Sequence, residues 1–183
     1  MIKKVTWFVF ILLAVFMSFQ GHVLKYSTCP RYSMVQLETA CKAKGRAILK
    51  AWNSKCYGEG SMLDLARSNT YWDDFFILLY VTLIVTESND RMQQEKWMPL
   101  NALLRLNLFL AFLAGMFDIC ENTLLLHNFR HVGDGRYYLV TCWATYPKFI
   151  FACWAVLVWA ISLIKSALLA VFTKQRHPIA IPG

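Results

Sequence analysis

The sequence contains no Cys-x-x-Cys, no Gly-x-Ser-x-Gly, no phosphate-loop Gly-x-x-x-x-Gly-Lys, no His-Glu-x-x-His and no Gly-x-Gly-x-x-Gly. Each of these motifs fixes reactive groups at a spacing its chemistry requires. Their absence removes thiol–disulfide exchange and the commonest hydrolase, nucleotide-binding and zinc-peptidase classes. No cofactor and no metal are expected. Charge is scarce too: Asp, Glu, Lys and Arg make up 16% of the 183 residues, against about 25% in ordinary soluble domains. There is no internal repeat and no low-complexity tract.

What is present points to a bilayer. Hydrophobic residues reach 57%, with seven Trp, eight Tyr and thirteen Phe, and the mean hydropathy is +0.40. Such aromatic content fits belts at the membrane–water interfaces. The net charge of +8 comes without a helix-turn-helix, zinc-finger or RNA-binding signature. Anionic lipid headgroups are therefore the expected partner, and nucleic acid is not.

The expected fold is all-α. It is one membrane domain, a four-transmembrane-helix bundle with spans at about residues 5–24, 72–87, 100–126 and 148–173, each near the ~20 residues needed to cross. Lys3 and Lys4 precede the first apolar run, which exits through Met17-Ser18-Phe19-Gln20-Gly21 without a small-x-small cleavage pattern. It reads as an uncleaved signal anchor, with a cleaved signal peptide as the alternative. The polar stretch 87–96 is expected to be a connector, Gly133-Asp134-Gly135 a turn, and Pro147 the first turn of span four. The two N-terminal lysines argue for a cytoplasmic N-terminus, and four spans then put the C-terminus on the same side. Most basic residues then fall outside, chiefly in residues 25–70, where the positive-inside bias weakens with length.

Residues 25–70 read as a folded, mostly helical extramembrane segment. Ser33-Met34-Val35-Gln36 has capping-box form, and Met34, Leu37, Cys41, Ile48 and Trp52 fall on one helical stripe. Lys42, Arg46 and Lys50 form an i, i+4 row on the other side. The pattern suits a helix lying in the interface on its apolar face, or one packed on the spans with a solvated basic face. Gly58 and Gly60 mark a turn, residues 61–68 one short helix, and Thr70-Tyr71-Trp72-Asp73 a second capping box opening span two.

Candidate chemistry centres on Asp118, Glu121 and Asn122, polar groups inside an apolar run, where ionisable side chains are costly and face a partner or a pocket. Residues three and four apart share a helical face, and Ala114 and Gly115 one turn earlier permit close helix approach. Antiparallel packing brings Asp73, Asp74 and Tyr80 from span two and Tyr146 and Lys148 from span four to the same, outer end. Arg67 or Lys148 supplies the cation. So many carboxylates cannot all ionise cheaply. Three readings compete: a hydrogen-bonded structural clamp, a general base or metal ligand of an enzyme acting on a lipid-linked substrate, and a proton or cation site for transport. His127 and His131 have metal-pair spacing but point away from Asp118 if their helix continues. Cys29, Cys41, Cys56 and Cys142 fall on one side and permit one or two disulfides, whereas Cys120 and Cys153 read as apolar packers within spans.

The run Met34-Val35-Gln36-Leu37-Glu38-Thr39-Ala40, then Ile48-Leu49 and Trp52, Asp73-x-x-Phe76-Ile77-x-x-Tyr80 and Ala114-Gly115-x-x-Asp118-x-x-Glu121-Asn122, resembles a loose family of small four-span bacterial membrane proteins of unknown function. The resemblance covers about half the chain, and its most specific piece is Asp-x-x-Glu-Asn. It implies a four-helix membrane fold and a joint role for Glu38, Asp73 and the third-span cluster. It implies no activity, and the cysteines of residues 25–70 lie outside its pattern. The function expected is a membrane scaffold or binding protein with an acidic outer pocket, the alternatives being an enzyme acting on a lipid or lipid-linked substrate and a proton- or cation-coupled transport component.

Overall fold

The computed structural model describes residues 2–27, 31–40, 42–53, 62–132 and 139–174. They form six helices: α1 Ile2–Tyr26, α2 Met34–Glu38, α3 Lys42–Asn53, α4 Met62–Gln94, α5 Met98–Arg130 and α6 Cys142–Lys174. No strand occurs among the described residues. Three of the helices are long and apolar enough to cross a membrane: Lys3–Tyr26 within α1, all of α5, and Cys142–Ala170 within α6. The outer faces of these three are studded with exposed apolar side chains such as Phe8, Phe19, Phe109, Phe112, Ile150 and Leu157, a belt of the kind that lipid or detergent covers.

The fourth long helix, α4, differs in composition. Its apolar stretch, residues 75–85, is bounded by Asp73 and Asp74 on one side and Glu87 and Asp90 on the other. At ~1.5 Å per residue that stretch covers about half of a ~30 Å hydrocarbon core. Yet α4 is the hub of the bundle, packed against α1, α5 and α6. Close approach to α5 depends on Gly115, where an added Cβ would lie 2.8 Å from Val81 Cγ2.

Several element boundaries differ from expectation. Residues 62–68 are not a separate short helix, because α4 runs unbroken from Met62. Thr70 does not cap it. Its hydroxyl donates back to the Ala66 carbonyl at 3.0 Å, while Asn69 Nδ2 donates to Gln20 Oε1 and Met17 O on α1. The expected connector at 87–96 shrinks to Glu95, Lys96 and Trp97. Its polar residues stay helical because they find partners: Glu87 meets Lys3 and Trp7, and Ser88 is buried against Asn107. Asn101 Nδ2 then closes the hairpin on the Met92 carbonyl at 2.8 Å, with Pro99 in the first turn of α5. Span four begins at Cys142, where the Thr141 carbonyl accepts from the Ala144 and Thr145 N–H groups. Pro147 therefore lies inside α6, past its first turn, and leaves the Trp143 carbonyl without its usual helical donor.

The capping box at Ser33 is present, Ser33 and Gln36 bonding reciprocally. The single stripe drawn from Met34 to Trp52 is not continuous, since α2 stops at Glu38 with Thr39 as its C-cap and α3 starts at Lys42. Leu37, Ile48, Leu49 and Trp52 are buried with Leu24, Leu63, Leu125 and Phe129. That small core seats α2 and α3 on one end of the bundle. Lys42 and Lys50 are exposed and Arg46 half-buried, so the basic row faces outward. The turns expected at Gly58, Gly60 and Gly133-Asp134-Gly135, and the expected roles of Cys29, Cys41 and Cys56, lie outside the described residues. Cys142 carries a free thiol, and Cys120 and Cys153 are exposed free thiols rather than internal packers.

Candidate functional site

At the end of the bundle that carries α2 and α3, four elements contribute to one polar cluster. Its centre is Lys148, nearly two turns into α6, whose side chain is only 10% exposed. Lys148 Nζ lies 2.7 Å from Asp118 Oδ1 and 2.7 Å from Glu121 Oε2, with Glu38 Oε2 at 3.8 Å. Asp118 and Glu121 share a face of α5 because they are three apart. Glu38 reaches the same ammonium from α2, held there through its backbone: the Thr141 and Thr145 hydroxyls both donate to the Glu38 carbonyl, at 2.7 and 3.0 Å.

The α4 side of the cluster is tied in by hydrogen bonds. Tyr80 donates to Asp118 Oδ2 at 3.1 Å. Asn122 Nδ2 donates to both Asp73 Oδ2 at 3.0 Å and Asp74 Oδ1 at 2.9 Å. Thus Glu38, Tyr80, Asp118 and Glu121 stand in one network with Lys148, and Asn122 holds Asp73 and Asp74 in a second group beside it. Arg67, the other candidate cation, is elsewhere: it pairs with Asp64 at 2.9 Å and donates to the Phe129 carbonyl. Lys42, Arg46 and Lys50 are not part of the network, and their row on α3 is a separate surface. His127 and His131 stack on each other with ring centroids 4.2 Å apart. No group of three or more His, Cys, Asp or Glu with metal-holding geometry occurs among the described residues.

The network opens on a cavity of about 490 Å³ between α1, α4 and α6, within the size range of ligand pockets. Glu38, Asp73, Asp118 and Lys148 line one end, and Glu87 with Trp7 and Trp159 the other. Apolar side chains, among them Phe10, Phe76, Leu83, Phe149 and Val156, line what lies between. Asp73 and Glu87 are about four helical turns apart, roughly 20 Å along α4. Glu121 and Asn122 do not line it. They stand behind Lys148 and Asp73 and fix them. Burial pushes the Glu38 carboxyl up to about 7, Lys148 opposing this and Glu121 and Asp118 adding to it.

Several partners had no clear sequence signal. Thr141 and Thr145 read as ordinary residues ahead of a helix, yet they orient Glu38. Asn128 latches the loop before α6, exchanging two 2.8 Å bonds with the Leu139 backbone. Trp7 and Glu87, joined at 3.1 Å, were hidden in segments read as a plain span and a connector. Comparison with family models, curated proteins and solved structures finds no match to the chain.

Proposed function

We propose that this is a four-span membrane protein, with α4 as the second crossing, that binds a ligand in the acidic pocket at the outer end of its bundle. The carrying observation is the Lys148 network opening on an elongated cavity with apolar walls. A purely structural clamp needs the ion pairs but no adjoining space. In this reading both termini are cytoplasmic, the membrane is a bacterial inner membrane, and the basic face of α3 meets anionic headgroups. The kinship with small four-span bacterial membrane proteins belongs to the same reading.

The test is native mass spectrometry of the protein extracted in mild detergent, alongside the Ala152→Phe variant, which fills the cavity while keeping every charged side chain of the network. A bound small molecule in the wild type, lost in the variant at unchanged helicity, supports the reading. A wild type that carries nothing, and whose melting temperature no membrane extract raises, contradicts it. Reporter fusions address topology: equal cytoplasmic signals at the N-terminus and at the Glu95–Trp97 turn support α4 as a crossing helix, with a fusion at 54–60 silent.

A second reading, an enzyme acting on a lipid or lipid-linked substrate, is favoured by Glu38. Its carboxyl, at about 7 and facing the cavity, is poised as a general base near neutral pH. Glu38→Gln then abolishes turnover of that substrate while leaving its binding intact.

A further inference from the structure

We propose that the cavity holds a single-chain amphiphile with a cationic amine head, the head against Asp73, Asp118 and Glu38 and the tail directed toward Trp7 and Trp159. This rests on the binding reading above and names its ligand class. The shape argues for one chain: the cavity of about 490 Å³ extends from Glu38, Asp73 and Asp118 at one end, past apolar side chains, to Trp7 and Trp159 beside Glu87 at the other.

The head chemistry follows from counting donors and acceptors. Lys148 is already engaged by Asp118 and Glu121 at 2.7 Å each, which leaves little of its charge for an anionic head. The acceptors are in surplus. A carboxylate offers about four lone-pair sites, yet among the described residues Asp73 accepts one bond, from Asn122. Among the described residues the Glu38 carboxylate has one cationic contact, Lys148 at 3.8 Å. An ammonium supplies both the missing donors and the missing positive charge. An alcohol supplies one donor and no charge, and a carboxylate or phosphate supplies repulsion.

The experiment titrates dodecylamine, dodecanol and dodecanoate into the full-length protein in phosphatidylcholine nanodiscs, reading bound stoichiometry by native mass spectrometry and the shift in melting temperature. The expected result is one saturable dodecylamine, weakened about tenfold by Asp73→Asn, as loss of a charge-assisted bond predicts, and abolished by Ala152→Phe. Saturable binding of dodecanol or dodecanoate in preference to the amine, blocked by Ala152→Phe, overturns the amine head but leaves the binding reading standing. Amine binding that Ala152→Phe leaves unchanged overturns the placement of the tail. No saturable binding of any of the three overturns the proposal, and the native mass spectrum of the extracted protein then decides separately whether a different ligand occupies the pocket.

Discussion

Lys148 is the ammonium on which Asp118, Glu121 and Glu38 converge, and its removal leaves buried carboxylates without compensation. Breaking a buried pair from one side costs about 3–5 kcal/mol. Lys148→Met is therefore expected to lower unfolding stability in detergent by that order, and adding Asp118→Asn with Glu121→Gln to recover most of it. Glu38 gives a pH signature. Its carboxyl sits near 7 in the folded protein against an ordinary 4.5, so the folded state holds the proton more tightly than the unfolded chain. The stability this contributes is full below about 4.5 and is lost as pH rises toward 7. Melting curves of wild type and Glu38→Gln across that window should converge at low pH and separate at neutral pH, the variant being the more stable. Asp118, Glu121 and Asn122 were legible because polarity inside an apolar run has few innocent explanations. Lys148 could be named only beside Arg67, since spacing does not say which cation a neighbouring helix turns inward. Glu38 came through resemblance alone, because a glutamate ending a five-residue helix looks like any surface residue.

At the scale of elements, two glycines separate packing from propensity. Gly115 faces Val81 so closely that a methyl group would sit 2.8 Å from its Cγ2, whereas nothing lies within 4 Å of a Cβ at Gly21. Val81 is β-branched and stiff, so Gly115→Ala is expected to destabilise by about 1–3 kcal/mol through overpacking. Gly21→Ala should be neutral or stabilising by up to about 1 kcal/mol, from helix propensity. Chemical denaturation of the two variants in one detergent distinguishes them. Ala114 and Gly115 could be read from sequence as a close-approach site, but the partner could not. Helix lengths were harder. Polar residues at 69–70 and 87–90 looked like boundaries and are instead interior: Asn69, Glu87, Ser88 and Asp90 each have a hydrogen-bond or ionic partner on another helix, and Thr70 bonds back within α4. The opposite failure occurs after Glu38, where an unbroken apolar stripe conceals a break. There the backbone leaves the helix and the Glu38 carbonyl is taken by two threonine hydroxyls of α6 and its cap.

Across the whole molecule, charge is placed at both ends of the bundle but with different weight. Lys3 pairs with Glu87 and Asp90 while itself 43% exposed, and Lys165 pairs with Glu95. Exposed ion pairs are worth about 0.2–1 kcal/mol, so Lys3→Ala should cost less than about 1 kcal/mol in the same unfolding assay that detects loss of Lys148. The all-helical class and the apolar helices α1, α5 and α6 follow from composition and run length. Whether α4 counts with them does not, because it trades apolar length for the acidic residues its neighbours use. One consequence concerns biosynthesis. Asp118 and Glu121 leave the ribosome before Lys148, by roughly one to five seconds at ordinary elongation rates. During that interval the nascent chain carries anions with no counter-ion inside the lipid, so α5 must be sheltered by the translocon or delayed at its rim until the last helix arrives. Ribosome arrest or a stop codon before residue 142 should therefore leave a product that quality-control proteases recognise and clear.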